Sequence, residues 1–155
     1  MAQLKAGDKA PAIALEDQQG KIVKLSSFTG QKVLVYFYPK ADTPGCTKQS
    51  CNVRDARPKL DKLGITALGI SPDKAAAQQK FATKFDLGFT LLADTEHAVA
   101  EAYAVWGEKS MYGRKYFGII RSSFLIDEKG KIIEAWYKVS PDDTVPLAMK
   151  ALGAK

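Results

Sequence analysis

The feature that constrains this chain most is Lys32–Tyr38 (KVLVYFY), a short run of β-branched and aromatic residues that stops at Pro39. A run this brief and this apolar is a buried central strand rather than a helix. Ile65–Ser71 (ITALGIS) is a second run of the same kind. Between them, Cys46–Lys62 has a helical pattern: Val53 and Leu60 form an apolar stripe with Ala56 between them, and Gly64 follows as a C-terminal cap. Pro58 interrupts that pattern, because it removes one helix hydrogen bond and is expected to kink or weaken the helix.

The remaining elements arrange themselves around these three. Residues 12–15 and 21–25 flank Asp17-Gln-Gln-Gly20, which predicts an N-terminal β-hairpin. Ser71-Pro-Asp opens a helix over about 73–84, Leu91-Leu92 is a short strand, and Glu96–Val105 is a helix. Gly107–Gly118 reads as a Gly- and Lys-containing connection. Ile119–Ile126 and Lys131–Tyr137 make a hairpin around Asp127–Gly130, and a last helix covers about 142–152. Strands alternating with helices, then a closing hairpin and helix, predict an α/β fold. The order fits a thioredoxin-like sandwich: a central mixed β-sheet flanked by helices, with an N-terminal β-hairpin extension.

Composition narrows the function classes. The 155 residues, 46% hydrophobic and 26% charged, suit one globular domain spanning 1–155. No apolar run approaches the roughly 20 residues that span a bilayer, and Met1–Asp8 lacks the apolar centre of a secretory leader. The expected location is the cytoplasm. The net charge of +6 comes from 23 Lys and Arg spread along the chain, a solvated basic surface rather than a nucleic-acid site. His97, the lone histidine, reads as a solvated helix residue, and Trp106 and Trp136 as packing.

The two cysteines, Cys46 and Cys51, are too few for a secreted disulfide framework. In a reducing compartment such a pair is catalytic or metal-binding, and two cysteines with one distant histidine make a poor zinc set. Cys46 falls where the loop Lys40–Gly45 becomes a helix, so the unpaired N–H groups and positive dipole end favour a negative sulfur. A thiolate is the nucleophile in thiol chemistry, and a free thiol with a pKa of about 8.5 is mostly protonated at neutral pH. Catalysis by such a sulfur needs more than a thiolate. The bond to be broken must be held while charge develops on the leaving atom. Thr43 offers a hydroxyl three residues upstream, the N–H groups of Gly45 and Cys46 offer donors, and Pro39 and Pro44 stiffen the loop.

Pro39-Lys-Ala-Asp-Thr43-Pro-Gly-Cys46 reproduces the Pro-x-x-x-Thr-x-x-Cys signature of peroxiredoxins. The longer run Tyr36–Thr47 resembles the bacterioferritin-comigratory-protein, or peroxiredoxin Q, branch. Gly7-Asp-Lys-Ala-Pro11, Leu68-Gly-Ile-Ser71 with Asp73, and Gly118-Ile-Ile-Arg121-Ser-Ser-Phe-Leu-Ile-Asp127 are similar to further family segments, in order and at family-like spacing. By position, the resemblance implies Cys46 as the peroxidatic nucleophile and Thr43 as a hydrogen-bond partner of sulfur and peroxide. Pro39 would shield the site, and Arg121 would stabilise thiolate and transition state. It also implies a thioredoxin fold, a hydroperoxide substrate, no metal or organic cofactor, and thioredoxin as the usual reductant, with glutaredoxin or glutathione as alternatives. Without a C-terminal extension carrying a partner-chain cysteine, the expected state is a monomer.

Cys51 is then the candidate resolving thiol, which condenses with the oxidised Cys46 to a disulfide. Five residues along an α-helix separate Cα atoms by roughly 8–9 Å and turn them onto different faces, whereas a disulfide needs them within about 7 Å. The first turns of this helix are therefore expected to unwind when the bond forms. Four intervening residues also argue against a disulfide reductase of the Cys-x-x-Cys kind.

Overall fold

The structure is a computed structural model and describes residues 3–153. The start of the Met1–Asp8 segment lies outside the described residues. Among those residues, seven strands form one mixed sheet: β1 (Ala14–Asp17), β2 (Ile22–Lys24), β3 (Lys32–Phe37), β4 (Ile65–Ser71), β5 (Thr90–Ala93), β8 (Ser122–Ile126) and β9 (Ile132–Trp136), in the order β2-β1-β5-β4-β3-β8-β9. β3 runs parallel to β4 and antiparallel to β8, which places Phe37 opposite both Ile70 and Ser122. The predicted N-terminal hairpin, β1 with β2, joins the sheet through antiparallel pairing of β1 with β5. The fold is thioredoxin-like.

The central run of the sequence alternates across this sheet, as strand geometry requires. Leu34, Tyr36 and Tyr38 face one core, with Val53 and Leu60 of α1 (Pro44–Lys62), Phe81 of α2 (Ala75–Lys84) and Ala148 of α4 (Thr144–Ala151). Val33, Val35 and Phe37 face the other, with Val99 and Ala100 of α3 (Ala98–Ala102), Tyr103 and Phe124. Each large side chain buried in this way contributes about 1.5–3 kcal/mol of transfer free energy. Among the described residues, no helix is long and apolar enough to cross a membrane.

Several expected boundaries move for local reasons. Gly107–Gly118 is not a bare connection but a two-stranded hairpin, β6 (Trp106–Met111) with β7 (Arg114–Ile119), turned at Tyr112 and Gly113, both at positive φ. Ile119 ends this hairpin, so β8 starts only at Ser122 and leaves Ile120 and Arg121 between strands. The helix expected over 96–105 shortens to Ala98–Ala102, because Asp94 caps it through the N–H groups of Val99 and Ala100 and Ala104 turns out of it at φ 60°. α2 starts at Ala75 rather than 73, since the Asp73 carboxylate is held by the Ser71 hydroxyl and the Ala41 N–H. α1 starts at Pro44, two residues before Cys46, and continues through Pro58 to Lys62.

Candidate active site

β3 delivers the chain to Pro39, and the loop after it ends at Thr43, the N-cap of α1. Pro44 fits the first helical position, where its missing N–H costs nothing. The first helical N–H to reach back is that of Thr47, which donates to the Thr43 carbonyl at 2.8 Å. The N–H groups of Gly45 and Cys46 therefore have no acceptor within the helix. They lie at its positive end, beside the Cys46 sulfur, which is 1% exposed.

Arg121 reaches this point from just before β8, the strand beside β3. Antiparallel pairing of β8 with β3 sets Ser122 opposite Phe37, so the preceding residue lies level with the end of the strand that leads into the loop. Its Nη2 donates to Cys46 Sγ at 3.3 Å, and its Nη1 donates to Gln49 Oε1 at 2.6 Å. Glycine at 45 permits the approach: a Cβ there would lie 3.1 Å from Arg121 Nη2 and 3.4 Å from Pro141 Cγ. A guanidinium is always protonated, so it places a permanent positive charge and a directional donor at the sulfur.

Gln49 is fully buried, and its amide is oriented by what it touches. The guanidinium only donates, so the amide oxygen faces it and the amide nitrogen faces away. Gln49 Nε2 donates to Thr144 Oγ1 at 2.9 Å, and Thr144 Oγ1 lies 2.8 Å from Ser123 Oγ. On the same helix face, the Tyr36 and Ser50 hydroxyls share a hydrogen bond of 2.8 Å. Tyr36 can lie over β4 only because its register partner is Gly69, whose Cβ would stand 2.7 Å from the Tyr36 hydroxyl. Burial pushes the Tyr36 phenol far above its ordinary value, so it remains a neutral hydroxyl. Among the described residues, no buried side-chain nitrogen or oxygen lacks a partner.

The other expected site residues take their places as follows. Thr43 stands at the helix start, but its hydroxyl donates to the Lys40 carbonyl at 2.8 Å, leaving only its oxygen to accept from a neighbour. The Lys40 carbonyl, three residues back in the loop, takes the hydroxyl proton. Pro39 is half-buried at the mouth of the loop. Cys51 is half-buried on α1, and both cysteines are free thiols. Lys109 of β6 is an addition: its Nζ donates to the Ile119 carbonyl at 2.8 Å. Burial pushes its ammonium below the usual lysine range, the like charge of Arg121 adds to this, and the Cys46 sulfur opposes it.

Sequence reasoning missed Gln49, Ser123, Thr144 and Lys109. A signal existed for Gln49, which is three residues after Cys46 and four before Val53, on the buried stripe of the helix. Nothing local marks Thr144, which lies 95 residues from Gln49.

A thioredoxin-like sheet carrying a buried cysteine at a helix N-terminus, with an arginine donating to its sulfur, defines a thiol-based redox protein. The AhpC/TSA family pattern matches residues 6–135. Peroxiredoxin Bcp of Escherichia coli K12 is 57% identical over 132 residues, 85% of each chain. Peroxiredoxin Bcp of Bacillus subtilis is 43% identical over 149 residues, 96% of this chain and 95% of that one. Among solved structures, a Xylella fastidiosa PrxQ mutant matches with a TM-score of 0.91 at 29% identity, over 99% of this chain and 98% of that one. The bacterioferritin comigratory protein of Xanthomonas campestris, studied for its alkyl peroxide reduction activity, matches with a TM-score of 0.85 at 33% identity, over 91% and 90%. This chain belongs to the AhpC/TSA family, in its Bcp (peroxiredoxin Q) branch, and is a peroxidase of the peroxiredoxin kind.

Proposed function

We propose that this chain is a thioredoxin-dependent hydroperoxide reductase, with Cys46 as peroxidatic and Cys51 as resolving cysteine. The Cys46 thiolate attacks the terminal oxygen of a hydroperoxide. An S–O bond forms from the sulfur electron pair and the O–O bond breaks. The leaving alkoxide or hydroxide takes a proton to become alcohol or water. Arg121 and the N–H groups of Gly45 and Cys46 stabilise the charge that develops during this step. With its hydroxyl proton on Lys40, Thr43 turns its oxygen toward the proton-bearing peroxide oxygen, and Pro39 keeps bulk water off the sulfur.

The Cys51 thiolate then attacks the sulfur of the Cys46 sulfenic acid, forming the disulfide and releasing hydroxide, which is protonated to water. Thioredoxin returns two electrons and two protons. Glutaredoxin and glutathione are the alternative donors. The observation that carries this reading is the 3.3 Å hydrogen bond from Arg121 Nη2 to Cys46 Sγ at the start of α1. We further read the protein as a cytoplasmic monomer and one domain, using no metal or organic cofactor.

Coupled turnover with thioredoxin and thioredoxin reductase tests the assignment. Cys46→Ser should lose at least about 10³-fold in peroxide consumption. Cys51→Ser should keep the first oxidation and turn over poorly with thioredoxin. Equal consumption by wild type and Cys46→Ser would overturn it.

A further inference from the structure

We infer that Thr144, at the first position of α4, positions the Arg121 guanidinium for reaction at Cys46, acting through Gln49. The inference rests on the reading of Cys46 as the peroxidatic thiol. Four hydrogen bonds run in sequence from the sulfur through α4 to β8: Cys46 Sγ accepts from Arg121, Arg121 donates to Gln49, Gln49 donates to Thr144, and Thr144 shares a hydrogen bond with Ser123. Gln49, Ser123 and Thr144 are each at most 1% exposed, so water does not offer a substitute partner between these three side chains.

From Arg121 to Thr144 the relay has only one consistent sense. Arg121 must find an oxygen at position 49, so Gln49 must present its NH2 to Thr144, and Thr144 must accept it. The Thr144 and Ser123 hydroxyls share the last bond, in which either can donate. If Thr144 cannot accept, the buried Gln49 NH2 is left without a partner, and the amide gains by rotating toward another acceptor. Rotation withdraws Oε1 from Arg121 Nη1. The guanidinium then loses the contact that fixes its plane, and Nη2 no longer points steadily at the sulfur. Small displacements of this kind weaken electrostatic stabilisation in a preorganised site.

Thr144 touches neither sulfur nor substrate, so its role is separable from bulk packing. Thr144→Val keeps the shape and removes the acceptor, whereas Thr144→Ser keeps the acceptor and removes a methyl group. The test is stopped-flow oxidation by hydrogen peroxide together with ultraviolet titration of the Cys46 thiolate in a Cys51→Ser background. The groups that bear on that titration are Arg121, Lys109 of β6 and the neutral Tyr36 hydroxyl of β3.

Thr144→Val should lower the second-order oxidation rate about tenfold and move thiolate formation to higher pH. Thr144→Ser should stay within about twofold of wild type on both measures. Should Thr144→Val fail to fold, Ser123→Ala takes its place and should shift both readouts in the same direction by a smaller amount. Rate and titration unchanged in Thr144→Val, or in Ser123→Ala where it stands in, would overturn the inference, as would a Thr144→Ser protein as impaired as Thr144→Val. A wild-type protein that does not oxidise at Cys46 would instead overturn the functional reading itself.

Discussion

The two halves of α1 are held in different ways. The first half, from Gly45 to Asn52, is tied down by polar contacts. Cys46 and Gln49 share Arg121, Ser50 bonds Tyr36, Gln49 bonds Thr144, and Lys48 and Asn52 both reach Asp142, at 2.8 and 3.0 Å. The second half, from Val53 to Lys62, is anchored by Val53 and Leu60, buried among sheet residues, with Arg54 and Arg57 donating to the Phe85 and Gly88 carbonyls on its outer side. A hydrogen bond exchanged with water contributes about 1 kcal/mol net, whereas a buried leucine contributes about 1.5–3 kcal/mol with no partner to replace it. The polar half is the part expected to unwind, since its groups can bond water once exposed, while the apolar half is expected to stay docked. Closing a Cys46–Cys51 disulfide demands that division, because both thiols lie in the polar half and cannot meet while it is wound.

The comparison can be broken from either side. The largest effect is expected in the apolar half: Leu60→Ala should cost about 2–5 kcal/mol of unfolding free energy. The peroxide rate per folded molecule should stay unchanged, since no reacting group moves. Denaturant titration and stopped-flow oxidation check the two parts. In the polar half, Tyr36→Phe leaves the buried Ser50 hydroxyl without its partner and should cost about 1–2 kcal/mol. That bond exists only while the helix is wound, so disulfide formation after oxidation should become faster, as followed by tryptophan fluorescence or thiol trapping.

Gly45→Ala acts on geometry rather than on stability. Its Cβ would meet Arg121 Nη2 at 3.1 Å, so the guanidinium must give way by a few tenths of an ångström. A loss of about threefold to tenfold in oxidation rate is expected, with little change in melting temperature. The smallest effect belongs to Asp142→Asn. The Asp142 carboxylate is held below its usual value of 3.8 by Lys48 first and Asn52 second. A depressed carboxylate gives a tie that is complete above the usual value and lost as pH falls through the lower folded one. At neutral pH, Asp142→Asn should raise amide exchange over residues 45–52 no more than about fivefold, as expected of an exposed pair. In wild type the same change should appear only in acid, below 3.8.

The apolar half of this contrast was the easier part to read in the sequence. β3, β4 and the Val53–Leu60 stripe are written as continuous or periodic apolar runs, and buried packing follows from such runs directly. Cys46 and Arg121 were legible through the motif around each, and the structure joins them across 75 residues. The polar half was not legible beyond its cysteines. Gln49, Ser123 and Thr144 are ordinary polar residues locally, and only sheet pairing and the docking of α4 make them partners. The β6–β7 hairpin escaped for a related reason: Gly107, Gly113 and Gly118 with interspersed charges erase the alternation that marks a strand, and cross-strand pairing overrides weak propensity. Helix ends at 75 and 98 depended on the Asp73 and Asp94 carboxylates, whose partners lie in other elements or further along the chain.

Amide hydrogen exchange on the dithiol and disulfide forms tests the central claim most directly. Protection over residues 45–52 should fall sharply when the disulfide forms, while residues 53–62 keep theirs. Equal protection of both halves in the two forms, or loss along the whole helix, would contradict it.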